Sequence, residues 1–232
     1  MLSRAAEIAF MVGLTVLSCL SCEAQTAAGV SSLVPLLKVL QKAKVSGSLE
    51  LPICTRGVPE SPKLREAAGT ATSVLQTVRE MYADHPDIEI TQGADGIVRI
   101  VQRETPSDLL RVRISEIQFS GTSAVYGPNA AVPRIFAAPE VQRFMKDHDM
   151  QTLGGVLGGA LATPPVNSES QLQPLTGSLY NVTFSQALDY LLGRFPGIWV
   201  YRDCPATKKT SRTVEVWFFH LMVFEGEWEV VE

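Results

Sequence analysis

TFSQALDYLLGRFPGIWVY, residues 183–201, is the stretch from which the fold can be read. Thr183 and Gln186 stand at capping-box spacing, in which the hydroxyl takes a backbone N–H of the first turn and the amide reaches back to the cap. Phe184, Ala187, Leu188, Leu191 and Leu192 then fall at i, i+3, i+4, i+7 and i+8, one apolar stripe of a helix. Gly193 ends that helix, Pro196-Gly197 turns the chain, and Ile198 to Tyr201 continues as a strand.

Sliding the sequence by 110 positions lays Ser73–Thr91 over Thr183–Tyr201 without a gap. Ser73 meets Thr183 as cap, Gln76 meets Gln186, Met81 meets Leu191, Pro86 meets Pro196 and Ile88 meets Ile198. Each segment reads as capped helix, proline stop, strand, and each has a Gly-Ser-Leu upstream, at Gly47 and Gly177, opening another strand. The expected fold class is α+β: two small β-α-β-β modules, an internal duplication, joined by a Gly/Pro-rich linker after a signal peptide. The matched positions share roles more than identities, with three identities in 19.

Around these units the remaining elements follow. Leu33, Leu36, Leu37 and Leu40 make a short helix capped by Ser32 and docked on the first module. Gly47–Ile53 alternates as a strand, and Pro52 marks it as an edge strand. Ala94-Asp95-Gly96 makes a hairpin turn between Ile88–Ile90 and Ile97–Val101. Leu109–Phe119 is a third strand, with a bulge at Ser115-Glu116 where the alternation shifts. Residues 121–133 read as loop, and Pro139 opens a helix carrying Val141, Phe144 and Met145. Gly154 to Gln173 is the linker. Arg212–Phe224, apolar on both faces, reads as a central strand, and the segment to Val230, interleaved with Glu225, Glu227 and Glu229, as an edge strand. The expected division is a signal peptide over 1–24, a first module with its N-terminal helix over 25–150, the linker over 151–176 and a second module over 177–232.

The leader carries Arg4, an apolar run from Ile8 to Leu20, and Cys22-Glu23-Ala24 before the expected cut. That run of 13 residues falls short of the roughly 20 a membrane-spanning helix needs, so the mature chain is expected to have no transmembrane segment. Cys19 and Cys22 leave a lipoprotein variant open, although the residues before each depart from the usual pattern. Cleavage removes one positive and two negative groups, taking the formal charge from −4 to −3. A mildly acidic chain without clustered Lys and Arg argues against nucleic acid as a partner. Two cysteines then remain, Cys54 and Cys204. Export would allow them to bridge, closing a loop of about 150 residues that stabilises by up to roughly 5 kcal/mol; the alternative is two small buried thiols.

Tyr180–Leu192, followed by Ile198-Trp199-Val200-Tyr201, resembles the short N-terminal domain of secretins and TonB-dependent transducers. The likeness rests mainly on residues 177–220, with the cap, the Ala-Leu, the Leu pair and the aromatic strand carrying it. It implies a small periplasmic α+β unit that makes protein contacts and has no catalytic residues or cofactor. This chain departs from the family in having no plug, barrel or pore after the module.

No catalytic signature is present: there is no Gly-x-Ser-x-Gly elbow, His-Glu-x-x-His helix or phosphate-binding glycine loop. Asp147-His148-Asp149 could supply metal-binding groups, but adjacent helical residues diverge, and it reads as a solvated helix end. His220 reads as a strand histidine satisfied by one hydrogen bond. Asn181-Val182-Thr183 matches a glycosylation acceptor, but Thr183 already serves as the cap. No metal and no cofactor are expected. Trp199, Tyr201, Trp217 and Phe219 alternate on two neighbouring strands opposite Ile198, Val200, Val214 and Val216, and so form a candidate interaction face. The same aromatics could instead lie beneath a helix. The resulting expectation is an exported, non-catalytic interaction module for envelope proteins, periplasmic or secreted from a bacterium; the alternative is a hydrolase or small-ligand binder with its site between the modules.

Overall fold

The computed structural model describes residues 33–51, 54–55, 58–59, 64, 73–103, 107–122, 127–152, 175–204, 206 and 211–220. The leader over 1–24, Ser32, the linker glycines and the segment from Leu221 onward lie outside the described residues.

Thr183 caps as its sequence predicts: its hydroxyl accepts from Gln186 N at 3.2 Å while its own N–H donates to Gln186 Oε1 at 2.8 Å. The helix that follows, α5 (Phe184–Leu192), buries the whole predicted stripe. Its counterpart α2 (Val74–Met81) has half a box. Ser73 accepts from Gln76 N at 3.2 Å, but the Gln76 amide turns forward to Glu80 Oε1 at 3.3 Å. Three further helices are described, α1 (Val34–Ala43), α3 (Gly127–Phe136) and α4 (Pro139–Asp147). None among the described residues is long and apolar enough to cross a membrane.

A mixed six-stranded sheet organises the molecule. Its strands are β1 (Gly47–Leu51), β4 (Ile88–Gln92), β5 (Val98–Gln102), β7 (Met150–Thr152), β9 (Gly197–Cys204) and β10 (Arg212–His220), in the order β4-β5-β1-β9-β10-β7. Short β2 (Cys54–Thr55) and β3 (Val58–Pro59) pair with each other, and β6 (Arg113–Thr122) pairs antiparallel with β8 (Leu175–Thr183).

Several expectations change here. β1 is central, with parallel neighbours β5 over Gly47–Glu50 and β9 over Gly47–Leu51, whereas Pro52, which suggested an edge, lies outside the described residues. The boundary at 151–176 does not separate two sheets, since β1 pairs with β9 and β6 with β8 across it. β6 therefore leaves the first hairpin, and Asp108–Arg111 ahead of it is a 3₁₀ turn that buries Leu109 and Leu110. Its register with β8 is continuous from Arg113 to Phe119; the irregularity lies between Phe119 and Thr122, and Asn181 adopts a left-handed φ of 53° on the partner strand. Residues 127–136 are helical despite Pro133. Burial of Ala131, Val132, Ile135 and Phe136 outweighs the lost N–H, and Ala137 N still closes on Pro133 O at 2.9 Å.

Each face of the sheet is covered. α1 and α2 pack Leu36, Leu40, Val78 and Met81 against Leu49, Ile100, Ile198 and Val200. On the opposite face α3, α4, α5 and the β6–β8 ribbon enclose Trp199, Tyr201, Val214, Val216 and Phe218. β10 pairs with β9 over Thr213–His220 and with β7 over Arg212–Val214, and it buries Val214, Val216 and Phe218 on one face while Trp217 and Phe219 on the other are half-buried.

Candidate functional site

The four aromatics expected on one face are divided by the register of β9 with β10. Trp199 is opposite Phe218, Val200 opposite Trp217 and Tyr201 opposite Val216, so residues of opposite parity share a side. Trp199 and Tyr201, each 1% exposed, belong to the core beneath α5, whereas Trp217 and Phe219 lie on the α1/α2 side beside Ile198 and Val200.

Trp217 and Phe219 are half-buried and stack at 6.3 Å between centroids with 16° between planes. The guanidinium of Arg202 sits 5.7 Å from the centre of the Trp217 ring, and the indole N–H donates to Glu215 Oε2 at 2.8 Å. Burial pulls Arg202 below the ordinary arginine range, with the Glu215 charge acting against that. The Trp217 indole is thus fixed by a cation against its ring and a carboxylate on its N–H, and Phe219 stacks on it. Such side chains lose little freedom when a partner covers them.

A second cluster lies on the opposite face, where β1 meets β9. Asp189 on α5 accepts the Trp199 indole N–H at 2.9 Å on Oδ1 and Arg99 Nη2 at 2.8 Å on Oδ2. Arg99 also forks onto Asp95, through Nη1 at 3.0 Å and Nη2 at 2.5 Å, which holds the Asp95 carboxyl below its usual value. Ser48 on β1 pairs in register with both Arg99 and Trp199. It is fully buried, and its hydroxyl has no partner among the described residues. Two residues on, Glu50 is pushed up to about 7, chiefly by burial and then by the Asp189 charge, against the pull of Arg111 and Arg99. Sequence reasoning did not single out Glu50, Arg99 or Asp189, because only the β1–β9 pairing brings them together.

A third polar group sits further along β9. The hydroxyls of Tyr201 and Ser107 are 2.5 Å apart, and both lie 3.3 Å from Asp203 Oδ2. Arg212 holds Asp203 on both oxygens, Nε to Oδ1 at 2.8 Å and Nη2 to Oδ2 at 2.6 Å. Burial and the Asp203 charge drive the Tyr201 phenol well above its usual range. Held by Arg212 on both oxygens, the Asp203 carboxylate in turn orients the Tyr201 and Ser107 hydroxyls.

Cys204, the last residue of β9, is disulfide-bonded. β2, which carries Cys54, lies against β9, although the side chain of Cys54 is outside the described set. His148 stacks on Phe144 at 3.9 Å, and its Nδ1 meets Phe144 O at 2.8 Å, at the C-terminus of α4. The side chain of His220 lies outside the described set. Among the described residues no group of His, Cys, Asp and Glu could hold a metal ion. Tyr180, 65% exposed on β8, is a large apolar side chain in solvent whose environment the sequence did not reveal. Comparison with protein-family models, curated proteins and solved structures finds no match for the chain.

Proposed function

We propose that the chain is an exported, non-catalytic protein-interaction module, acting in a bacterial periplasm or outside the cell. The observation that carries this reading is the Trp217–Phe219 pair, half-buried against the core, with its indole held by Arg202 and Glu215. Trp and Arg dominate the energetics of protein interfaces, and a prefixed pair of rings offers contact area at low entropic cost. The leader over 1–24 supplies the export signal, and the disulfide at Cys204 suits an oxidising compartment. In this proposal Cys54 is the other half of that bridge, the partners are envelope proteins, and the two capped helix–proline–strand segments descend from one ancestral unit related to the secretin and TonB short domain.

The test is capture of partners from envelope extract by the mature protein, compared with Trp217→Ala/Phe219→Ala. The double variant should lose the specific partners while remaining folded by circular dichroism. Retention of every partner would overturn the reading.

A second reading, a small polar ligand bound between the two halves of the chain, draws on the unpaired Ser48 hydroxyl beside Glu50. It predicts that a ligand changes Trp199 fluorescence, and that Glu50→Ala abolishes the change.

A further inference from the structure

At the far edge of the sheet from β7, strand β4 borders a groove of about 370 Å³ whose walls include Arg79, Tyr82, Glu89, Ile90, Thr91 and Arg103. Asp87 and Arg103 share a backbone bond of 2.9 Å, and Gly93 and Ile97 share one of 3.1 Å. The alternation of an antiparallel ladder then turns Glu89 and Thr91 toward β5, and aims the N–H and C=O of Ile90 and Gln92 away from the sheet. Arg79 occupies part of this edge: its Nε and Nη2 reach Ile90 O at 3.3 and 3.1 Å. The guanidinium thus takes the acceptor that the N–H of an added strand would use.

The wall behind contributes a second unmet group. Tyr82 is 2% exposed, and its hydroxyl has no partner among the described residues. A buried hydroxyl left unpaired is costly, and an acceptor on an incoming chain would relieve it. The charged side chains of the walls are two arginines and one glutamate, with Glu89 Oε2 already 3.6 Å from Arg103 Nε. The groove therefore offers donors: the Ile90 N–H, the Tyr82 hydroxyl and two guanidinia.

We propose that this groove receives an extended acidic segment of a partner protein, which adds to β4 as a further strand. Its backbone pairs with Ile90 and Gln92, its N–H displaces Arg79 from Ile90 O, and the released Arg79 joins Arg103 in binding its carboxylates. Strand addition to a sheet edge takes affinity from main-chain bonds and selectivity from the alternate side chains. The proposal rests on reading the chain as an interaction module, but it uses a surface other than the Trp217–Phe219 pair.

The experiment titrates the full mature chain with a blocked seven-residue peptide of alternating Glu and Val, followed by amide NMR. Its controls are the Lys–Val counterpart and an N-methylated Glu–Val peptide. The Glu–Val peptide should shift the amides of Ile90 and Gln92, while the N-methylated and lysine peptides bind at least about tenfold more weakly, as does the Glu–Val peptide to Arg103→Glu. Tyr82→Phe should weaken binding without altering the fold. Equal binding of the Glu and Lys peptides, or shifts that bypass residues 88–92, would overturn the proposal. Concentration-dependent loss of the same amides without peptide would also overturn it, by assigning the edge to a second copy of the chain. Trp217→Ala/Phe219→Ala should bind the peptide unchanged, so failure of the aromatic reading and failure of this one give different results.

Discussion

Asp189 accepts the indole N–H of Trp199 at 2.9 Å, and through its other oxygen it ties α5 to Arg99 on a strand of the opposite half of the chain. One carboxylate thereby joins the two segments that the sequence presents as separate units. Asp189→Ala leaves a buried indole N–H unpaired and frees one arm of the Arg99 fork. Urea unfolding should show a loss of about 1–3 kcal/mol, with a change in Trp199 emission before the main transition. Trp199→Phe combined with Asp189→Ala should cost less than the sum of the single changes, because the two residues share the interaction.

Glu50 gives stability a slope with pH. Its carboxyl titrates at about 7 in the fold against 4.5 for the ordinary group, so between those values the native state holds a proton that the unfolded chain has released. Stability from this group is therefore complete below pH 4.5, declines as pH rises through the window, and is lost above 7. A shift of this size corresponds to roughly 3 kcal/mol. Glu50→Gln should be flatter across pH 5 to 8 in thermal unfolding and more stable than the parent at pH 8. A parent curve that rises with pH over that interval would contradict the assignment.

What the sequence made legible was local. The Thr183–Gln186 box, the stripe on α5 and the Pro86 and Pro196 stops depend on neighbours in the chain, and they appear where expected. The central place of β1 did not show, because Pro52 signals an edge while the parallel partners of Gly47–Leu51, β5 and β9, are distant in the sequence. α3 did not show either, since Pro128 and Pro133 signal a loop unless the buried face of Ala131, Val132 and Ile135 is known. The division of the aromatics is the clearest case. Alternation gives the parity within β9 and within β10, but which parities share a side depends on the connection over 205–211, where a one-residue difference exchanges the faces. The polar cluster around Glu50 was invisible for the same reason, since it exists only once β1 is placed between β5 and β9.

Tyr201 and Tyr82 should be silent in an alkaline titration followed at 295 nm. Burial raises both phenols, and in Tyr201 the Asp203 charge adds to that effect. Of the five tyrosines in the chain, these two should ionise only as the fold is lost. Tyr201→Phe should restore no early titration, and should cost about 1–2 kcal/mol through the Ser107 hydroxyl it leaves behind.

The bridge at Cys204 offers the most direct check on where the protein works. Non-reducing digestion should yield a peptide linking Cys54 to Cys204, in keeping with the position of β2 against the strand that ends in Cys204. Cys54→Ser and Cys204→Ser should then each destabilise by about 2–4 kcal/mol. Dithiothreitol should lower the unfolding temperature of the parent to that of either variant and leave the variants unchanged. A Cys204 linked instead to Cys19 or Cys22 would show a retained leader and remove the support that the disulfide lends to export by cleavage. A digest in which Cys204 is linked to a residue other than Cys54 would exclude the 54–204 pairing while leaving the Trp217–Phe219 surface untouched.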